Sequence, residues 1–300
     1  MSAWGARGAL GAFTMGAVGS AVAAALLKRQ PPGGVARWTR TSHAGQPVTL
    51  FEGPAYAVGA VAGALVGGVG APAAVAGLGS AAFGALDDVA GDSSSKGLRG
   101  HLSAARRGEV TTGAIKILGL GATGLLTARM VDRSQAQAQA KAQAQAKTRP
   151  MATLAGGAVI AGSANIANLL DLRPGRALKV VLLLAAPIAA SGRGTRMSIA
   201  TSAAVAAAGA AVGVLSDDLA GRSMLGDTGA NSAGALLGTA LVARTGLKGR
   251  LLALAVVTAL TLASERVSFT KVIESTPGLR ELDALGRPSA ACLQPSTLTR

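Results

Sequence analysis

Aromatic residues, cysteine and histidine are scarce in this chain of 300 residues. Phe, Trp and Tyr together make up 2% of it, so the chain lacks the Trp and Tyr belts that often mark the two edges of a bilayer. Its one cysteine, Cys292, excludes an intramolecular disulfide and a zinc site built from several cysteines. The two histidines, His43 and His101, fall in expected loops, and we assign neither of them a catalytic role.

Charged residues are also few. They make up 14% of the chain, whereas hydrophobic residues make up 50% and the mean hydropathy is +0.43. The apolar residues form long blocks separated by short charged clusters, which is typical of a polytopic membrane protein. The net charge of +15 therefore indicates contact with anionic lipid headgroups, and we expect no nucleic acid partner. Because Ala and Gly dominate the blocks, the helices should be thin and closely packed.

These blocks predict an all-α membrane bundle of about nine transmembrane helices. The predicted spans are residues 8–27, the two halves of 53–86 on either side of Gly70-Ala71-Pro72, 110–128, 151–170, 177–192, 197–216, 228–243 and 251–264. Residues 1–266 are expected to form one transmembrane domain, with a low-complexity Gln/Ala loop or helical extension at 134–149. Residues 267–300 are expected to form a cytoplasmic tail, and its basic residues are expected to meet the membrane surface.

The loops that connect nine alternating spans differ in charge between the two sides. One side carries the larger share of the 29 Lys and Arg residues, which assigns it to the cytoplasmic face of the plasma membrane. All 14 acidic residues except Asp132 fall on that same predicted side. Because acids hardly influence membrane insertion, we attribute this distribution to chemistry on the cytoplasmic face.

Four acidic clusters stand at the ends of predicted spans on that side: Asp87-Asp88, Asp171, Asp217-Asp218 and Asp227. Asp227 lies between two glycines, which allow a backbone to approach a phosphate closely. Hard carboxylate oxygens suit Mg²⁺, which usually keeps waters and substrate phosphates as its other ligands. The clusters therefore predict a magnesium site. The alternative is that these acids merely end helices in water, and Asp217-Asp218, with no glycine loop around it, fits that alternative best.

Four short motifs, taken in order, resemble those of a known enzyme family. They are Asp87-Asp88, Lys96-Gly97-Leu98, Asn165-x-x-Asn168-Leu169-Leu170-Asp171 and Leu225-Gly226-Asp227-Thr228-Gly229-Ala230-Asn231. The series is similar to that of the polyprenyl-phosphate N-acetylhexosamine-1-phosphate transferases, which include phospho-N-acetylmuramoyl-pentapeptide transferase. The resemblance covers residues 8–265, and the first loop, residues 45–54, is also similar to the loop after the family's first span.

The resemblance implies a magnesium-dependent transfer of sugar-1-phosphate from a UDP-sugar to a polyprenyl phosphate, for cell-envelope glycan synthesis such as that of peptidoglycan. By their positions in the motifs, Asp87 and Asp88 would be catalytic and Asp227 would bind Mg²⁺. The residues that would bind substrate are Lys96, Asn168 and Asp171. Arg173 lies outside the motifs, and its charge would either bind phosphate or anchor a helix end.

The chain also departs from the family pattern. Asp171-Leu172-Arg173-Pro174-Gly175 stands where the family often has Asp-Gly-x-Asp-Gly, and the histidine-rich loop and tenth span have no counterpart. Two other functions therefore stay open: a catalytically reduced relative that binds polyprenyl phosphate or nucleotide as a regulator or partner, and a transporter of small solutes or metals. The confinement of the acids to one face speaks against a transporter. A homodimer is a further possibility.

Overall fold

The computed structural model describes residues 3–42, 45–66, 68–90, 111–138, 149–191 and 197–288. Within these ranges the chain forms twelve helices and one two-stranded hairpin. The helices are α1 Ala3–Arg29, α2 Val35–Trp38, α3 Glu52–Val66, α4 Ala71–Ala90, α5 Thr112–Ala138, α6 Arg149–Leu170, α7 Arg176–Ala190, α8 Ile199–Leu219, α9 Gly226–Arg244, α10 Leu247–Ser264, α11 Phe269–Ser275 and α12 Leu279–Ala284. The strands are β1 Thr39–Thr41 and β2 Pro47–Thr49. The predicted all-α class is confirmed for these residues.

Each of the nine predicted spans coincides with one of these helices, α1 or α3 to α10. Among the described helices, α1, α5, α6, α8 and α10 are long and apolar enough to cross a membrane. The chain is therefore a helical bundle with five candidate membrane-spanning helices. A nine-span topology stays a prediction, because α3 and α7, for example, have only 15 residues each, fewer than the roughly 20 that cross a bilayer core.

The break between α3 and α4 falls at Gly70-Ala71-Pro72, as the sequence predicts. Gly68 has a φ of +70°, which a side chain would strain, and a Cβ on Gly70 would lie 1.7 Å from the carbonyl oxygen of Ala64. Pro72 lies in the first turn of α4, where its missing N–H is not needed by the helix. Helices α3 and α4 consequently form a hairpin that returns the chain to the end where α3 began.

Small residues let the helices approach closely, as their composition predicts. A Cβ added to Gly59 of α3 would lie 2.4 Å from the carbonyl oxygen of Gly16 in α1. One added to Gly209 of α8 would lie 2.2 Å from that of Phe13. The core of the bundle consists mainly of buried alanines, and α9 is surrounded by α3, α4, α6 and α8. Helix α9 is thus the central helix of the bundle.

The two ends of the bundle differ in charge. The acidic end is where α3, α5, α7 and α9 begin and where α1, α4, α6, α8 and α10 end. Every described acidic residue except Asp132 lies at this end or in the segment that follows α10. Asp132 lies at the opposite end, where Arg250 of α10 donates to its Oδ1 at 2.7 Å. The predicted separation of Asp132 from the other acids is confirmed for the described residues.

The Gln/Ala tract begins as helix. Helix α5 continues through Gln135 to Ala138, and Gln135 donates to the carbonyl of Ala243 at 2.7 Å. The first part of the tract is therefore a helical extension, and its remaining residues, 139–148, lie outside the described residues.

Candidate functional site

The loop before α9 is held by the β1–β2 hairpin and the start of α3. The backbone N–H of Met224 donates to the carbonyl of Thr49 at 3.0 Å. Ser223 Oγ donates to that same carbonyl at 2.9 Å and accepts the N–H of Glu52 at 3.2 Å. These bonds fix the position from which α9 begins.

Glycines bring α4 and α9 together at the acidic end. Gly226 has a φ of +57°, and a Cβ there would lie 3.0 Å from Asp88 Oδ1. A Cβ on Gly84 of α4 would lie 2.2 Å from the carbonyl oxygen of Asp227. Glycine has no side chain at either position, so the C-terminal part of α4 can approach the first turn of α9 directly.

Asp88 caps the N-terminus of α9. Its Oδ1 accepts the N–H of Asp227 at 3.0 Å, and its Oδ2 accepts both the N–H and the hydroxyl of Thr228, at 2.9 and 2.6 Å. A carboxylate at this position satisfies N–H groups that have no partner within the helix and interacts favourably with the helix dipole. Both oxygens of Asp88 are thus engaged in holding α9, and the catalytic role expected for it stays a prediction.

Asp87 and Asp227 converge on one cation. Lys116, in the first turns of α5, lies with its Nζ 3.4 Å from Asp87 Oδ2, and the same Nζ forms a hydrogen bond and ion pair with Asp227 Oδ2. The side chain of Asp87 is 26% exposed, that of Asp227 is 19% exposed and that of Lys116 is 12% exposed. Partial burial strengthens such a pairing relative to one in open water. Two of the four acids that the sequence motifs single out, Asp87 and Asp227, therefore share one position for positive charge.

This donor set fits magnesium, as a site of two carboxylates. Mg²⁺ is usually bound by one or two carboxylates together with waters and substrate phosphates, and Asp87 and Asp227 supply two that already converge. In the part of the chain that the structure describes, no group of three or more His, Cys, Asp or Glu residues could hold a metal ion. The four acidic clusters hence do not form one cage there. Asp217 pairs instead with Lys28 and with Arg222, the latter at 2.7 Å.

Asp171 lies on the other side of the α9 N-terminus. Its Oδ2 accepts the N–H of Gly226 at 2.9 Å, and the residue is only 5% exposed. Burial raises the pKa of the Asp171 carboxyl well above its usual range, and the nearby charge of Asp218 raises it further. Asp171 therefore joins the α6–α7 loop to the start of α9.

Replacing Asp171 by Asn should stabilise the protein at alkaline pH. When folding raises the pKa of an acid, that acid stabilises the fold fully only at pH values below its pKa in the unfolded chain, about 3.9 for Asp. The contribution is lost as the pH rises through the pKa of the folded state. The amide can still accept the N–H of Gly226, and it never ionises. We expect the thermal midpoint of Asp171→Asn in detergent to exceed that of wild type by a few degrees at about pH 8 and by less at about pH 5. An equal difference at both pH values would contradict the assignment.

A cleft of about 460 Å³ opens beside Asp171. Its walls come from the β1–β2 hairpin, from the α6–α7 loop and from the loop before α9. The lining residues are Thr41, Ser42, Val48, Asp171, Leu172, Arg173, Pro174, Asp218, Gly221, Ser223 and Met224. The cleft is large enough for part of a small-molecule substrate, since ligand pockets typically measure about 300–1,000 Å³.

Of the other predicted site residues, Arg173 and Asn168 lie in the part of the chain that the structure describes. Arg173 lines the cleft and pairs with Glu274 at 2.9 Å, so its charge is partly engaged. Asn168 is half-buried near the end of α6, and its backbone carbonyl accepts the backbone N–H of Asp171 at 3.2 Å. Lys96 lies outside the described residues. The structure thus gathers Asp87, Asp88, Asp171 and Asp227 around the start of α9.

Two residues of this region had no assigned role in the sequence. Lys116 is the only charged residue in the sequence block 110–128. A lone ionisable group within a predicted span is a signal of function. Glu52 begins α3 and is 2% exposed, and neither carboxylate oxygen has a hydrogen-bond partner among the described residues. Glu52 lies within residues 45–54, whose resemblance to the family's first loop singles out the segment but not this residue.

Fold and site together define a mainly helical bundle, with candidate membrane-spanning helices and a carboxylate–lysine centre at one end. No protein-family model matches this chain, and no curated protein matches it significantly.

Proposed function

We propose that this protein is a magnesium-dependent phosphoglycosyl transferase that moves a sugar-1-phosphate from a UDP-sugar to a polyprenyl phosphate. The observation that carries the proposal is the convergence of Asp87 and Asp227 on one cation position. A cleft lined by Asp171 opens at the same end of the bundle, on the other side of the α9 N-terminus. The motif resemblance supports the same reaction. The site would face the cytoplasm, at the surface of the plasma membrane.

The reaction balances without a redox step or a strong base. An oxygen of the lipid phosphate attacks the phosphorus that carries the sugar, the bond between the two phosphates of the UDP-sugar breaks, and UMP leaves with the electron pair. A phosphate monoester has its second pKa near 6, so the attacking oxygen is largely ionised at neutral pH. We therefore assign Asp87 to holding positive charge and positioning the acceptor, with no requirement that it remove a proton.

Charge neutralisation is the main task of such a site. Asp87 and Asp227 would hold Mg²⁺, which neutralises and aligns phosphate oxygens when it is bound. Lys116 would then be free to turn its ammonium group toward a phosphate. Asp88 keeps the first turn of α9 in place, and it thereby positions Asp227. Asp171 and Arg173 place one carboxyl group and one guanidinium group at the wall of the cleft.

A second candidate is a catalytically reduced relative that binds polyprenyl phosphate or nucleotide. The observation that favours it is Lys116 itself, because its ammonium already neutralises both Asp87 and Asp227. A lysine that never leaves this position would serve as a permanent substitute for the metal. Such a protein would bind its ligand without turnover.

A transfer assay separates the two candidates. Purified protein is incubated with polyprenyl phosphate, Mg²⁺ and a panel of UDP-sugars labelled in the sugar, and lipid-linked product and UMP are measured. Product that requires Mg²⁺ and that appears with an equal amount of UMP supports the transferase. Saturable binding of polyprenyl phosphate or nucleotide with no product in any reaction would contradict it and support the reduced relative.

Replacing Lys116 by Met should make the stability of the protein depend on Mg²⁺. Without the ammonium group, the partly buried carboxylates of Asp87 and Asp227 repel each other, so the thermal midpoint in EDTA should fall. Added Mg²⁺ should restore it, because an ion that binds only the folded state stabilises that state. Lys28→Met is the matched control: it removes one lysine partner of Asp217 and leaves Arg222 as the other, so its midpoint should show little response to Mg²⁺. A midpoint of Lys116→Met that is insensitive to Mg²⁺ would contradict the two-carboxylate site.

A further inference from the structure

The segment after α10 has a polar side that faces the bundle. Asp283 of α12 is 8% exposed and accepts two hydrogen bonds from Arg176, at 2.7 and 3.0 Å. The remaining guanidinium nitrogen of Arg176 donates to Thr270 Oγ1 at 2.9 Å. Arg176 is itself 3% exposed, and a buried ion pair is tolerable only when its polar atoms are satisfied in this way. Helices α11 and α12 are therefore fastened to the first turn of α7.

Further bonds connect the same segment to the wall of the cleft. Lys179 donates to the carbonyls of Leu282 and Leu285, at 3.0 and 3.2 Å. Arg287 donates to the carbonyl of Pro174 at 2.8 Å, and Arg173 pairs with Glu274. The α6–α7 loop thus lies between the cleft and this C-terminal segment, and it contacts both.

The other side of the segment is apolar and uncovered. Its exposed large hydrophobic residues are Val267, Val272, Leu279, Leu282 and Leu285, with exposures from 37% to 65%. We name this set the apolar ridge. Single exposed apolar residues are normal on any protein surface, but five of them within about twenty residues indicate a surface that binds an apolar partner.

The apolar ridge continues into the outer wall of the bundle. Leu279 and Leu282 line a notch of about 80 Å³ together with Val180 and Leu183 of α7, and Leu183 is 52% exposed on the outward side of its helix. The segment also follows directly on α10, a candidate span of which only 6% is buried inside the protein. The ridge is hence placed at the edge of the apolar belt, where the surface of a bilayer would meet it.

From these placements we propose that residues 267–287 are an interfacial strap: the apolar ridge enters the membrane surface while Asp283 holds the polar side against α7. The partner is the lipid surface itself. An amphipathic segment of this kind lies in the interface with its apolar side among the upper acyl chains. The segment carries as many acidic as basic residues, and its acids are paired with arginines, so apolar burial is the main contribution. The proposal depends on the membrane-spanning fold and not on the transferase activity.

Spin labels test the strap in proteoliposomes of neutral phosphatidylcholine. In a Cys292→Ala background, single cysteines replace Leu279 or Leu282, and a third variant places the label at Glu281. Glu281 is the matched control, because it lies on the same helix and its side chain is 56% exposed. Among the described residues its carboxylate pairs with Arg280 and accepts the backbone N–H of Gly278. All three side chains are exposed, and none of them belongs to the Arg176–Asp283–Thr270 network that holds the segment against α7. Size-exclusion elution confirms that each variant remains folded.

The strap predicts that labels at 279 and 282 are relaxed more by molecular oxygen than by a water-soluble nickel chelate, and that the label at 281 shows the reverse. Labels at 279 and 282 that the nickel chelate reaches as readily as it reaches 281 would overturn the proposal. So would labels at 279 and 282 that neither reagent reaches, because that result would mean that protein and not lipid covers the ridge.

Discussion

Replacing Asp227 by Asn is expected to lower the rate of sugar-phosphate transfer by about a hundred- to a thousandfold, which is the typical cost of losing one electrostatic group from an active site. The substitution removes one of the two carboxylates that converge on the cation position, and Asp87 alone then remains as a ligand. The backbone N–H of residue 227 can still donate to Asp88, so helix α9 should begin as before. The rate is measured as lipid-linked product formed at saturating Mg²⁺.

Asp217→Asn is the matched control for this prediction. It makes the same chemical change at the same end of the bundle, but Asp217 pairs with Lys28 and Arg222, which are largely exposed. Ion pairs made by such exposed basic side chains contribute little to stability, typically about 0–1 kcal/mol, and the two partners of Asp217 are different from Lys116, which pairs with Asp87 and Asp227. The control should keep most of the activity. Equal losses in both variants would mean that Asp227 acts only through the general charge of this face.

The second large effect is structural. Replacing Gly84 by Ala should destabilise the protein by about 2–3 kcal/mol, the upper part of the usual range for overpacking, because the new Cβ would lie 2.2 Å from the carbonyl oxygen of Asp227. Backbone cannot move aside as a flexible side chain can, so α4 and α9 would have to separate. The thermal midpoint should fall by about 5–10 °C in a protein of this size, and the same separation should displace Asp227 and lower activity.

Gly121→Ala provides the control for Gly84→Ala. Gly121 also lies inside a helix, α5, but a Cβ there would meet nothing within 4 Å. Alanine should therefore show its ordinary advantage over glycine in a helix, about 0.5–1 kcal/mol. If both substitutions changed the midpoint by the same amount and in the same direction, the close approach of α4 to α9 would be contradicted.

Much of the fold could be predicted because charge and turn residues mark the helix ends directly. The Gly70-Ala71-Pro72 break and the lone position of Asp132 both follow from local composition, and the structure has both. The roles of Asp87 and Asp88 could not be separated in this way. They are neighbours in sequence, yet one faces Lys116 and the other caps α9, and that difference depends on how α4 meets α9 and not on the residues beside them.

The tail shows the same limit. Its basic residues indicate a membrane surface, but the sequence gives no sign that Arg176 and Asp283, which are 107 positions apart, form a buried pair. Gly84 likewise looks like any helical glycine, although its neighbour in space is the carbonyl of Asp227. Contacts between distant segments are set by the packing of whole helices, and a single sequence does not display them.

The most direct test of the proposed metal site is to count the divalent cations that the purified protein binds. Mn²⁺ serves as a spectroscopic substitute for Mg²⁺, and free Mn²⁺ is followed by electron paramagnetic resonance as protein is added. The two-carboxylate site predicts one ion bound per chain in wild type, displaced by excess Mg²⁺, and a large loss of affinity in Asp227→Asn but not in Asp217→Asn. Wild-type protein that binds no Mn²⁺, or Asp227→Asn that binds it as tightly as wild type, would contradict a metal site formed by Asp87 and Asp227.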